Sequence, residues 1–231
     1  MSNDFFRFKQ FAVWQDKCAM KVGTDGVLLG AWANGGRCML DIGSGTALVS
    51  LMLAQRFPQG QVVGVEIDHD TCEQARQNVA LSPFKARVSI CESAIQTYTP
   101  EGEIHSFDCI VSNPPFFQHS LSSPDLKRNL ARHSDTLSYG DLFQAVDRLL
   151  SSDGEFSVVI PADCRSAFET ESVMWGFFLS RICSVRTVAH KPPKRYLLAF
   201  RHHPSEVVQS SDLVIHSEQY NRLVKDFYIN L

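Results

Sequence analysis

Three groups of residues in this 231-residue chain have types and spacings that could do chemistry. The first is Asp41-Ile42-Gly43-Ser44-Gly45-Thr46-Ala47. Glycines let a backbone turn tightly and approach a ligand closely, and a helix opening behind them presents free N–H groups. The second is Glu66, 23 residues beyond Gly43. An acidic side chain at that distance can accept hydrogen bonds from both hydroxyls of a ribose, as in folds that hold an adenosine. The third is Asn113-Pro114-Pro115-Phe116. Two consecutive prolines stiffen the chain and remove two N–H donors, but their carbonyls remain acceptors. The Asn113 side chain adds another oxygen. Two acceptors fixed at one point match an amino group with two hydrogens, and Phe116 offers a flat face on which a base can stack. Each group also has a plain structural explanation: a tight turn, a solvated strand-end carboxylate, a rigid corner with a core aromatic. Placed together on one sheet edge, they are harder to explain that way.

Those groups need a scaffold that brings several loops to one edge, and the hydrophobic pattern supplies one. Strands are expected at Cys38 to Ile42, Gln61 to Ile67, Arg87 to Cys91, Phe107 to Ser112 and Glu155 to Ile160. Helices are expected between them: Thr46 to Phe57, Asp68 to about Leu81 with Asp68 as N-cap, and Asp141 to Leu150. This alternation argues for an α/β fold with a mainly parallel sheet. Phe177 to Ala189 and Tyr196 to Arg201 read as two further strands. His190-Lys191-Pro192-Pro193-Lys194 between them is short enough for an antiparallel hairpin. Residues 1–35 read as an N-terminal extension packed on a core of 36–203, and 204–231 as a C-terminal addition to the same domain. The polar stretch from Gln118 to Thr136 lacks periodicity; loops that long in a compact domain are usually functional or mobile.

Composition narrows the class. Hydrophobic residues make up 44% and charged residues 20%, which excludes a disordered chain. No apolar run is long enough for a membrane span, and the first residues do not read as a secretory signal. The seven cysteines form no CxxC and several sit in apolar stretches, as reduced thiols in a cytoplasmic protein do. Neither they nor the histidines show metal-ligand spacing. A formal net charge of -3 means that any nucleic-acid surface must be local. The candidate phosphate contacts are Lys9, Lys17 and Lys21; Lys127, Arg128, Arg132 and His133; and Lys191, Lys194 and Arg195.

The set Asp41-x-Gly43-x-Gly45, Glu66 and Asn113-Pro114-Pro115-Phe116 resembles class I S-adenosylmethionine-dependent methyltransferases acting on exocyclic or amide nitrogens. Phe8-Lys9-Gln10-Phe11, the run Lys17 to Gly26, and Leu28-Leu29-Gly30-Ala31-Trp32 narrow the resemblance to the bacterial tRNA1(Val) adenine-N6 methyltransferase family. It continues through Leu213-Val214-Ile215 and Phe227-Tyr228, covering nearly the whole chain. The resemblance implies a Rossmann-like fold: a seven-stranded, mostly parallel sheet with a terminal antiparallel hairpin and helices on both faces. It also implies S-adenosyl-L-methionine as cofactor, tRNA as partner, a monomer, and no membrane or metal. Asp41, Gly43, Gly45, Glu66, Ile67, Ser93, Ala94 and Asn113 would hold the cofactor. Asn113, Pro114 and Phe116 would carry the reaction, and Pro115, Arg128, Arg132, Lys191, Lys194 and Arg195 would meet the RNA. The acceptor would be N6 of adenine 37, next to the anticodon of valine tRNA.

Three positions depart from the family pattern. Ala47 stands where a third glycine is usual, and alanine is small. Ala94 stands where an acidic residue usually receives the cofactor's adenine, passing that contact to Ser93, Glu92 or backbone carbonyls. Phe116 lacks the hydroxyl of the usual tyrosine. Asn-Pro-Pro-Phe also occurs in enzymes that methylate guanine N2 of rRNA, and a related motif in those that methylate protein glutamine, so the motif alone leaves these acceptors open. A non-catalytic, RNA- or nucleotide-binding methyltransferase-like module is a reading of a different class. A nicotinamide-dependent oxidoreductase would explain the glycines and Glu66 but leave the Asn-Pro-Pro-Phe corner without a purpose.

Overall fold

A computed structural model describes residues 4–18, 21–100, 106–114 and 137–230. The chain opens with an antiparallel ribbon, β1 (Phe5–Arg7) and β2 (Ala12–Trp14), followed by α1 (Thr24–Trp32). Alternation then runs β3 (Cys38–Ile42), α2 (Leu48–Arg56), β4 (Gln61–Glu66), α3 (His69–Leu81), β5 (Val88–Glu92) and β6 (Phe107–Ser112). After these come α4 (Tyr139–Leu149), β7 (Leu150–Pro161), α5 (Arg165–Met174), β8 (Phe178–Arg186), β9 (Arg195–Arg201), β10 (Gln209–Val214) and α6 (Glu218–Val224).

The main sheet has the order β10-β8-β9-β7-β6-β3-β4-β5. From β3 the chain steps outward to β4 and β5, then returns to lay β6 on the other side of β3. That reversal opens a crevice at the carboxyl ends of β3 and β6, where open α/β sheets bind ligands. β3 is central because both its faces are apolar: Met39, Leu40 and Ile42 are all buried. α1, α2 and α3 cover one face through Leu28, Leu51 and Val79, together with Phe8, Phe11, Val224 and Phe227 from the two ends of the chain. α4 and α5 cover the other face through Phe143, Val146 and Phe168.

The expected strands and helices form, with boundaries shifted by a few residues. The hairpin also forms: β9 runs antiparallel to both β7 and β8. One correction concerns the sheet itself, which has eight strands rather than seven. The additional strand is β10, from the C-terminal stretch, which pairs parallel to β8 at the edge. Only Leu213 of its six residues is buried, so it carries almost no hydrophobic signature.

Candidate functional site

Four loops converge at the crevice. The chain leaves β3 into Gly43-Ser44-Gly45, with both glycines left-handed (φ +68 and +54). A Cβ built on either glycine meets nothing within 4 Å, so the backbone there faces open space. On the packed side Ser44 is buried. Its seat depends on Gly64 in β4, where a Cβ would lie 2.9 Å from both Cβ and Oγ of Ser44 and 2.7 Å from Ile90 Cδ1. A valine-flanked glycine inside a strand marks such a close approach. This residue was not singled out from the sequence, although that signal was present.

Ala47 is fully buried at φ 64, ψ 21 and precedes α2. A third glycine suits this position because the backbone is left-handed there. Alanine adopts the same turn at a cost of about 1 kcal/mol. It supplies no side-chain cap to α2. Asp41 does so from the neighbouring strand: its Oδ2 accepts from Ser50 N at 3.0 Å and from Ser50 Oγ at 2.6 Å. Asp41 therefore turns into the protein and is not part of the crevice wall, unlike the other expected cofactor contacts. We assign it to holding the loop and the start of α2 together.

Burial pushes the Asp41 carboxyl up to about 6; the Ser50 hydrogen bonds oppose that rise and the nearby Glu66 charge adds to it. The folded state thus binds this proton more tightly than the unfolded chain, whose value is 3.8. Stability from this group is fully present below about pH 4 and falls as pH rises to about 6, by on the order of 3 kcal/mol. Asp41→Asn, which still offers an oxygen to Ser50, should therefore gain on the wild type across that window in parallel denaturation curves. A stability difference that stays flat from pH 4 to pH 7 would contradict the assignment.

The cleft above these loops has a volume of about 600 Å³. Gly43 and Gly45 form its floor after β3, Glu66 and Ile67 its wall after β4, Ser93 and Ala94 the wall after β5, and Asn113 and Pro114 the end after β6. Glu66 ties two of these loops together. Its Oε2 accepts from Gly45 N at 2.9 Å, and its Oε1 from Ile67 N at 2.8 Å and Asp68 N at 3.1 Å. A carboxylate has about four acceptor sites, so a further donor can be met on the cleft side. Ile67 is 63% exposed at the mouth, an apolar face left for a ligand. Of the groups offered for an adenine contact beyond β5, Ser93 lines the cleft and donates its Oγ to the Ala94 carbonyl at 3.0 Å. Glu92 turns away to His69 Nδ1 (3.0 Å) and Arg76 (3.5 Å). Lys17 and Cys18 also line the cleft, so the segment after the N-terminal ribbon forms part of its rim.

Asn113 is half-buried at the end of β6, and its Oδ1 is buried with no hydrogen-bond partner among the described residues. Leaving a buried carbonyl oxygen unpaired costs about 1–3 kcal/mol, so such an atom calls for an explanation. Its neighbour Ser112 is satisfied, donating Oγ to the Ile42 carbonyl at 2.9 Å and tying β6 to β3. Pro115, Phe116, Arg128 and Arg132 lie outside the described residues, as do Lys127, His133 and the stretch from Gln118 to Thr136.

Sheet register places the remaining cations. Ser112 lies opposite Val158 of β7, and β7 continues to Pro161, which lies opposite Arg195 of β9. The hairpin turn with Lys191 and Lys194 therefore stands at the same edge as Asn113, about 10 Å farther out along the strand direction. Both lysines are exposed. Arg195 is not an open cation: its Nε donates to Asp25 Oδ2 at 2.8 Å. Among the described residues no cluster of His, Cys, Asp or Glu could hold a metal, and no helix is long and apolar enough to cross a membrane.

Comparison with known proteins agrees with this arrangement. Residues 22–178 match the family model for the methyltransferase small domain. A curated tRNA1(Val) (adenine(37)-N6)-methyltransferase from Parabacteroides distasonis is 44% identical, with 100% of each chain covered. The protein of the same name from Phocaeicola vulgatus is 46% identical, again over 100% of both. Among solved structures, a predicted O-methyltransferase from Agrobacterium tumefaciens superposes with a TM-score of 0.67 at 16% identity, covering 90% of this chain and 100% of that one. At that identity the likeness speaks for the fold alone.

Proposed function

Since the chain belongs to the family of tRNA1(Val) (adenine(37)-N6)-methyltransferases, we propose that it methylates N6 of an adenine in tRNA, adenine 37 of valine tRNA, using S-adenosylmethionine. The observation that carries this reading is the unpartnered Asn113 Oδ1 beside Pro114, in the same cleft as the glycine loop.

The cleft fits the cofactor. Gly43 and Gly45 leave room for a ligand at backbone distance, Glu66 can accept ribose hydroxyls, and Ile67 and Ser93 border the place of a planar base. Bound there, S-adenosylmethionine supplies an electrophilic methyl carbon. The protein's task is then position and electrostatics.

Adenine N6 is a poor nucleophile because its lone pair is delocalised into the ring. Asn113 Oδ1 accepts one N6 hydrogen and the Pro114 carbonyl accepts the other. That favours a pyramidal nitrogen with its lone pair directed into the cleft. Asn113 needs no charge for this, and no strong base is required before attack, because the proton can leave afterwards. The target base must leave its stack to reach the site, at a cost of a few kcal/mol. Phe116 is suited to hold it face-on. Lys191 and Lys194, exposed at the same edge, are suited to phosphate contacts.

Mass mapping of modified nucleosides in valine tRNA, from cells with and without this protein, tests the proposal. N6-methyladenosine at position 37 should vanish with the protein. Unchanged valine tRNA, with a methyl group missing instead from rRNA guanine or a release-factor glutamine, would transfer the same cleft to another acceptor. Loss of no methyl group anywhere would favour a binding module.

A further inference from the structure

The ion pair between Asp25 and Arg195 has no part in the chemistry described so far, yet Asp25 adjoins Gly26, which lies near Asn113. Asp25 is in the first turn of α1 and Arg195 begins β9, 170 residues apart in sequence. Arg195 Nε donates to Asp25 Oδ2 at 2.8 Å, and its Nη1 donates to the Lys194 carbonyl at 2.9 Å. The two side chains remain 34% and 26% exposed, and pairs that exposed contribute little to stability. This one joins the first turn of α1 to the start of β9. Gly23, the N-cap of α1, makes no side-chain capping bond, so the first turn has no cap of that kind. The far end of α1 is anchored separately, by Arg56 donating to the carbonyls of Gly30 (2.9 Å) and Ala33 (2.7 Å).

Residue 26 carries the consequence to the site. A Cβ built on Gly26 would lie 4.0 Å from Asn113 Nδ2 and 3.1 Å from Leu48 Cδ2. The first turn of α1 therefore passes beside the Asn113 amide, close enough that a side chain at residue 26 would touch its nitrogen. A shift of the turn changes what flanks that nitrogen. We infer that Asp25 and Arg195 are positioning residues, whose ion pair holds the first turn of α1 behind Asn113 and so fixes the direction of the amide oxygen. The inference rests on the function proposed above and extends it. It also moves Arg195 from the RNA contacts to the support of the acceptor site.

Two variants test it. Asp25→Asn removes the charge, and Asp25→Glu keeps it. The side-chain amide resonances of Asn113, assigned by their loss in Asn113→Ala, should shift or broaden in Asp25→Asn and return toward wild type in Asp25→Glu. With saturating cofactor, kcat on tRNA should fall about tenfold or more in Asp25→Asn, with Tm and cofactor Kd near wild type. Asp25→Glu should recover most of that loss. Asn113 resonances unmoved in Asp25→Asn would overturn the positioning role, as would a kcat loss matched by an equal loss of cofactor affinity. Resonances that move in a protein whose wild type methylates no tRNA would sink the proposed substrate and leave the positioning role standing.

Discussion

Asn113→Ala is expected to lower kcat about 10³-fold while cofactor Kd changes by less than about threefold. Such a split follows from where the side chain stands. Its oxygen is buried and unpartnered among the described residues, so truncation costs that oxygen no hydrogen bond to them. The fold should tolerate the change for the same reason. On the proposed mechanism, what disappears is an acceptor that meets the amino group as its nitrogen becomes pyramidal, an interaction stronger in the transition state than in the ground state. Single-turnover rates with cofactor held at saturation give the chemical step directly. Turnover within about tenfold of wild type would reject the role.

Glu66→Ala should act on the other axis. The carboxylate accepts from Gly45, Ile67 and Asp68 backbone N–H groups, and so joins the glycine loop to the end of β4. On the proposed reading, its removal takes away the acceptor for ribose hydroxyls and loosens the loop floor at once. Hydrogen bonds to a charged group are worth about 1.5–3 kcal/mol each, so cofactor Kd should rise about 100-fold. Glu66→Gln, which keeps one oxygen, should cost about tenfold. In both variants kcat at saturating cofactor should fall far less than in Asn113→Ala. Calorimetric titration of the cofactor checks this, and an affinity unchanged in Glu66→Ala would remove Glu66 from the cofactor site.

Much of this site was legible in the sequence because its parts sit at strand ends, where residue type and spacing are tightly tied to backbone path. Gly43, Gly45 and Asn113 follow, and Glu66 ends, strands whose apolar runs are plain, and the order of those strands fixes the shared edge. Among the residues expected at the cofactor, Asp41 is the one that does not line the cleft. Its spacing could not say whether the carboxylate turned outward or back toward Ser50; it turns back, and accepts from Ser50 where Ala47 offers no side-chain cap. Pairing between Arg195 and Asp25 was illegible for a different reason: a contact across 170 residues leaves no local pattern.

Elements outside the alternating core were read less well. α1 is apolar nearly all round, holds two glycines and lacks a capping side chain, so it has no clear helical face. α5 buries only Phe168 and Ser172, too few to set a period. β10 shows five of its six residues to solvent or the rim of the core, as an edge strand can. By contrast α4, with Ser138 and Asp141 forming a capping box and five buried residues on one face, was expected near its true position.

The central claim is that the lone oxygen of Asn113 takes a hydrogen from the amino group being methylated. A structure of the protein with S-adenosylhomocysteine and an adenine-bearing anticodon stem-loop measures that contact. The account predicts Asn113 Oδ1 at about 2.9 Å from N6 of the flipped adenine. An adenine seated in the cleft with N6 bonded elsewhere, and the Asn113 oxygen paired within the protein, would contradict it.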